Sequence, residues 1–389
     1  MQQKCIRSGI SVRHINEITL LLIVACIAIT TTLHHWFPQV TGVPTYVVSI
    51  GVMLQQDITV SILAVFVFLH ARSKLGAARA WIFLFSSVLF AGFEETMAIL
   101  AGRYGLSPPT YYFTYGGLWF FEIPLYTCLA WFVVCYCGYI MVKHVFPSQG
   151  RPVMTAALTA LFGTCWDFWL DPVVCNRHLV QASLPDLWIW LDPTGLHLFG
   201  IPILNFVGWF GVIFLIVFMF EHDLAGSRDV TTRIVARYYV YLAIAWGGWA
   251  LALHFVGTAA LFETFDIVPV ILGSRVDSAS IPLVVNTCFA IYLGCFLFFI
   301  AYDFYKYWKS SSRAIVNAFP MLAIALWLMA VLNTAVLIIV TFPASTLPWI
   351  MLGASIYPVV LMAKYLVTPV ATTSSNENVT IRANENKNP

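Results

Sequence analysis

Six polar side chains sit in otherwise apolar sequence, and chemistry is expected from them: Glu94, Glu95, Glu122, Asp167, Asp171 and Asn205. Carboxyl groups placed in an apolar interior can hold and transfer protons, because removal from water favours the neutral acid. Two carboxyls in unlike surroundings can then divide the roles of general acid and general base. Aromatic residues crowd the same stretches. Tyr104, Tyr111, Tyr112, Phe113, Tyr115, Trp119, Phe120 and Phe121 lead up to Glu122; Trp166, Phe168 and Trp169 surround Asp167; Trp188, Trp190 and Trp209 flank the segment of Asn205. Such rings form belts at membrane edges, yet a belt requires no carboxylates several residues deeper. Ring faces also stabilise a cation without reacting with it.

Spacing refines the set. Thr164, Asp167 and Asp171 follow i, i+3, i+7 and share one helix face. Asp171 precedes Pro172, which biases it out of helix, so it reads first as a helix stop. Asp167 lies deeper, between two Trp residues, and reads as functional. Neighbours on a helix differ by about 100°, so only one of Glu94 and Glu95 faces the interior; the other caps the interface or pairs with Arg103. His197 and His254 belong to no ligand cluster, and no metal or cofactor is expected. The nine cysteines include no CxxC pair and read as small apolar residues rather than a disulfide framework.

The elements that must position these groups are membrane helices. The chain has 389 residues, 60% hydrophobic and 10% charged, against roughly 25% charged in soluble domains. The net charge of +2 offers no basic patch for nucleic acid. Apolar windows predict about ten spans, at roughly 18–36, 46–71, 80–101, 118–142, 152–172, 198–220, 234–261, 280–304, 315–341 and 346–368. The second is interrupted by Gln55, Gln56 and Asp57. Of the twenty Lys and Arg, all but Arg103, Arg177 and Arg275 fall on one alternating set of loops, which predicts both termini in the cytoplasm. The fold class is therefore all-α: a polytopic, multi-pass bundle of the cell membrane. Its parts are N-terminal spans (1–90), a core of spans 3–6 (91–225), further spans (226–369) and a disordered polar tail (370–389). At 1.5 Å per residue, Glu94 and Asn205 sit roughly 9–10 Å below the outer surface. Ile123-Pro124, Ile201-Pro202 and Ile281-Pro282 recur at regular separation and hint at a repeated two-span unit.

The stretch from about 91 to 222 resembles the carotenoid hydratase family of the CruF and bisanhydrobacterioruberin hydratase type. The matching pieces are Glu94/Glu95, Gly105, Tyr111 to Phe113, Ile123-Pro124 and Ala130 to Phe132. The most specific are Trp166-Asp167-Phe168-Trp169-Leu170-Asp171-Pro172 and Phe199 to Trp209. The resemblance implies a carbon–oxygen lyase, a hydratase that adds water across a double bond of a carotenoid end group or another long isoprenoid drawn laterally from the bilayer lipids. Protonation of such an alkene gives a tertiary carbocation. Asp167 or Glu94 would supply the proton, with Glu95, Asp171 or Asn205 orienting water and accepting its proton. Tyr111, Tyr112, Glu122, Trp131, Trp166, Trp169 and Trp209 would bind substrate. Two other outcomes stay open: isomerisation or cyclisation of the same cation, and a transporter, since carriers also contain repeats and broken helices.

Overall fold

The computed structural model describes residues 11–37, 50–104, 111–146, 151–175, 186–191, 197–198, 201–227 and 229–258, with helical residues at 356–358, 360–361 and 364–365. The chain is mostly helical. Helix α1 is Val12–Trp36, started by Ser11, whose hydroxyl accepts from the His14 amide at 3.3 Å. Helices α2 (Ile50–Leu75) and α3 (Ala77–Arg103) are separated by Gly76 alone, at φ 80°, a backbone state that glycine enters at little cost. Then follow α4 (Leu125–Val145), α5 (Pro152–Val174, with Pro at its first turn), α6 (Ile203–Phe220) and α7 (Thr232–Thr258). Five segments among the described residues are long and apolar enough to cross a membrane: Val12–Trp36, Gln56–Leu75, Ala77–Arg103, Leu125–Val145 and Asn205–Ala225. Each of the first seven predicted windows holds a helix. The windows 280–304 and 315–341, and most of 346–368, lie outside the described residues, as do Ile281-Pro282 and the predicted tail.

The connections depart from an all-α reading. They carry three antiparallel two-stranded ribbons. Strand β1 (Tyr111–Phe113) pairs with β4 (Trp188–Trp190), Tyr112 opposite Ile189. Strand β2 (Trp119–Phe120) pairs with β3 (Ile123–Pro124), and β5 (His197–Leu198) with β6 (Ile201–Pro202). Proline cannot donate to a helix and holds the residue before it extended. Each of these two Ile-Pro steps is therefore strand, and the helix begins on the next residue. The windows predicted to open at 118 and 198 accordingly become helical at Leu125 and Ile203.

Packing holds the bundle at both ends. Phe83, Tyr136, Tyr139 and Phe220 interlock in the main core. A second cluster, with Phe113, Trp119, Phe120, Ile123 and Trp188, sits beneath the ribbons. Helix α1 is mostly exposed but is pinned there: His34 stacks on Trp119 at 3.9 Å, and Thr30 donates to the Trp119 carbonyl at 2.6 Å. The polar interruption at Gln55–Asp57 does not break α2. Buried Asp57 instead accepts the amides of Gly117 and Leu118 at 2.8 and 3.3 Å, fixing the approach to β2. At the far end α6 continues into a π-helical turn, Glu221–Ala225. There Glu221 pairs with Lys143 at 2.9 Å and buried Asp223 with Arg237 at 2.8 Å. Tyr357 donates to the Leu158 carbonyl at 2.9 Å, and Leu361 is buried in the main core.

Candidate active site

Among the described residues, helices α5 and α6 form the most extensive helix pair, stacked through Phe168 and Phe206 at 4.2 Å. Gly163 lets the Ile213 side chain approach α5 closely. This alignment brings three polar side chains to one point. Asn205, in the first turn of α6, donates through Nδ2 to Asp167 Oδ2 at 2.7 Å and to Asp171 Oδ2 at 2.8 Å. Both acids are buried, Asp167 completely. Asp167 Oδ1 is buried with no hydrogen-bond partner among the described residues. Two carboxylates bridged by one amide nitrogen repel if both are charged, so the trio is arranged to hold a proton between them.

Asp171 is not a helix stop. Helix α5 runs through it to Val174 despite Pro172, and the Asp171 carbonyl accepts the Cys175 amide at 3.0 Å. Continuing the helix keeps Asp171 one turn beyond Asp167 on the same face. Thr164, on that face by spacing, instead bonds the Ala160 carbonyl at 2.9 Å. The Asp171 carboxylate also bonds the Trp188 side chain on β4.

Glu95 of the α3 pair, partly buried like Glu94, bonds side chains of two neighbouring elements. Its carboxylate accepts from Trp131 Nε1 on α4 and bonds the Tyr111 hydroxyl on β1. It lies close enough to Asp171 for their charges to interact. Trp131 stacks on Trp209 of α6 with centroids 3.9 Å apart and planes 23° from parallel, and Trp209 lies one turn after Asn205 on the same face of α6, so the aromatic pair links the partner of Glu95 to the helix that carries Asn205. Glu94 is partly buried beside Glu95. Tyr112 alternates with Tyr111 along β1 and takes the opposite face, while Tyr111 packs on Trp190 at 4.5 Å. Trp166 is partly buried against the main core, and the side chain of Trp169 lies outside the described residues.

Glu122 stands apart. It pairs with Arg103 at 2.7 Å, so Arg103 serves Glu122 rather than either α3 acid. In this position Glu122 secures the β2–β3 turn against the end of α3, while its amide bonds Thr96. Trp188 is the site residue that spacing did not single out. Its role depends on the β1–β4 register, which joins strands far apart in the chain.

The model of a family described as carotenoid biosynthesis protein matches residues 53–269. The chain belongs to that family. No curated protein and no solved structure matches it. The family match runs from α2 through α7 and beyond both ends of the 91–222 resemblance, and it takes in every polar group of the site. Membership supports a role in carotenoid biosynthesis and suggests an enzyme acting on carotenoids. The apolar helices agree with a membrane setting for this carotenoid biosynthesis protein.

Proposed function

We propose that the chain is a membrane-embedded hydratase that adds water to a carbon–carbon double bond at the end of a carotenoid or another long isoprenoid. The observation that carries this reading is the buried Asp167–Asn205–Asp171 trio beside the stacked Trp131 and Trp209. Protonating an unactivated alkene carbon needs a neutral acid sheltered from water. It also needs a surrounding that tolerates a tertiary cation, and indole faces provide one. Asp167 is the acid in this scheme, the Asn205 amide steadies its conjugate base, the neighbouring Asp171 carboxyl favours the protonated state from which Asp167 acts, and the substrate enters sideways from lipid. The resemblance of Trp166–Pro172 and Phe199–Trp209 to carotenoid hydratases supports the same reaction, as does the family to which the chain belongs.

Expression in a lycopene-producing host, followed by mass analysis of extracted pigment, tests the proposal. The expected product is heavier than lycopene by one water. Asp167→Asn should lower it by about a hundredfold or more, with the variant still present in the membrane. A product of unchanged mass but altered retention would mean isomerisation or cyclisation instead. Unchanged pigment, together with unchanged mass of unsaturated isoprenoid lipids in a host that makes them, from an abundant wild-type protein would refute the enzyme reading and leave the transporter.

A further inference from the structure

The site is assembled from a repeated unit, and the repeat is visible in both sequence and fold. In one unit α3 leads to β1, then to the β2–β3 ribbon and α4; in the next, α5 leads to β4, then to the β5–β6 ribbon and α6. Phe121, Ile123, Pro124, Trp131, Phe132 and Val134 of the first unit recur at one constant offset as Phe199, Ile201, Pro202, Trp209, Phe210 and Val212. The ribbons share a register, Trp119 opposite Pro124 and His197 opposite Pro202. The two prolines that start the helices have φ, ψ of −57°, 137° and −58°, 135°. The equivalent strands β1 and β4 pair with each other antiparallel, as a two-fold axis between the units requires. The equivalent rings Trp131 and Trp209 stack face to face on that axis.

Each unit brings the same kinds of group. Leu89-Phe90 leads to Glu95 as Leu161-Phe162 leads to Asp167. The first strand of each unit supplies a ring donor, Tyr111 to Glu95 and Trp188 to Asp171. The halves diverge at one position. Where the second has Asn205 joining two acids, the first has Thr127, whose Oγ1 is buried with no hydrogen-bond partner among the described residues. Thus Asp167 shares an amide with a second acid, whereas Glu95 is met by two donors, an arrangement that favours the ionised form, the only form able to take up a proton.

We propose that the two units form quasi-equivalent half-sites, and that Glu95 of the first accepts the proton released by the addition that Asp167 of the second begins. The inference rests on the hydration reading. The alkene π pair forms a bond to the Asp167 proton, leaving a tertiary cation and the Asp167 carboxylate. A water oxygen lone pair then forms the carbon–oxygen bond, and the surplus proton of that water passes to Glu95. The sum is alkene plus water giving a tertiary alcohol, with one proton moved between half-sites. Return of that proton from Glu95 through neighbouring Asp171 restores Asp167.

The test follows lycopene in membranes containing the full-length protein, in heavy water, scoring both hydrated product and deuterium on recovered lycopene. Glu95→Gln is expected to lower product at least tenfold while recovered lycopene still gains deuterium, because Asp167 can protonate the alkene and take a proton back. Asp167→Asn should show neither signal. Trp131→Phe keeps a ring in the stack and removes one donor, so it should slow product formation with deuterium uptake retained. Glu95→Asp should restore part of the product, which separates chemistry from folding. Wild-type rates from Glu95→Gln, or loss of deuterium uptake together with product in an abundant Glu95→Gln protein, would overturn this assignment while leaving hydration intact. Failure of the wild type to hydrate would overturn both.

Discussion

Asn205 shows how much rests on one side chain. Its single nitrogen serves two buried carboxyls, so Asn205→Leu leaves both without a shared donor. Losing such a donor costs about 2 kcal/mol of stability and about a hundredfold in turnover where it organises charge in the reaction. Both are measurable, by thermal unfolding in detergent and by hydrated product per protein. At this scale the rings of Trp166, Phe168 and Trp169 pointed to Asp167, which is buried and bonded to Asn205. Asp171 was a candidate too, but the helix stop expected there does not occur, because the bias imposed by Pro172 is local and the packing of α5 on α6 overrides it. Glu122 carried the same signal of an acid at a span edge, yet its partner is Arg103; charge type alone does not separate a reactive group from an ion pair.

At the scale of elements, the prolines and glycines decide where helices begin and how closely they approach. The β2–β3 turn places Phe121 at φ 58°, a left-handed state costly for a residue with a Cβ. Its ring is held against Phe120 at 4.7 Å and Phe93 at 5.1 Å. Nearby, Gly92 gives Phe120 room: a Cβ there would lie 2.8 Å from that buried ring. Gly92→Ala is expected to cost about 2 kcal/mol through overpacking, read as a lower melting temperature in detergent and a drop in product as the ribbon over the site shifts. The apolar windows revealed the helices well. They could not reveal the strands, since segments of two or three residues leave no periodicity and an Ile-Pro step looks like a helix start from sequence alone.

At the scale of the described molecule, the candidate site and the charged anchor lie at opposite ends of α6. Asn205 opens α6 and Glu221 follows its last residue, a separation of about 24 Å at the helical rise. Arg237 is half exposed and pairs with buried Asp223 at 2.8 Å. Arg237→Ala should therefore lower stability by about 2 kcal/mol, seen in thermal unfolding, with turnover of the folded protein unchanged. Loss of turnover without loss of stability would show that the anchoring end communicates with the site. The same layout explains why α1 is held by Trp119 and Phe121: with few buried residues of its own, it docks through polar caps rather than a broad apolar face.

Membrane helices, their approximate windows and the rarity of acids within them follow from composition and hydropathy, because lipid tolerates little charge and the helix satisfies every backbone group within one segment. The spacing of the Ile-Pro steps likewise hinted at a repeat, and the two steps among the described residues, Ile123-Pro124 and Ile201-Pro202, take the same strand-to-helix form. Which acids bond neighbouring elements, which amide joins two carboxyls, and which two tryptophans meet depend on the rotation of each helix and the register of β1 on β4. Those are set by contacts between residues distant in the chain, and only the assembled bundle decides them.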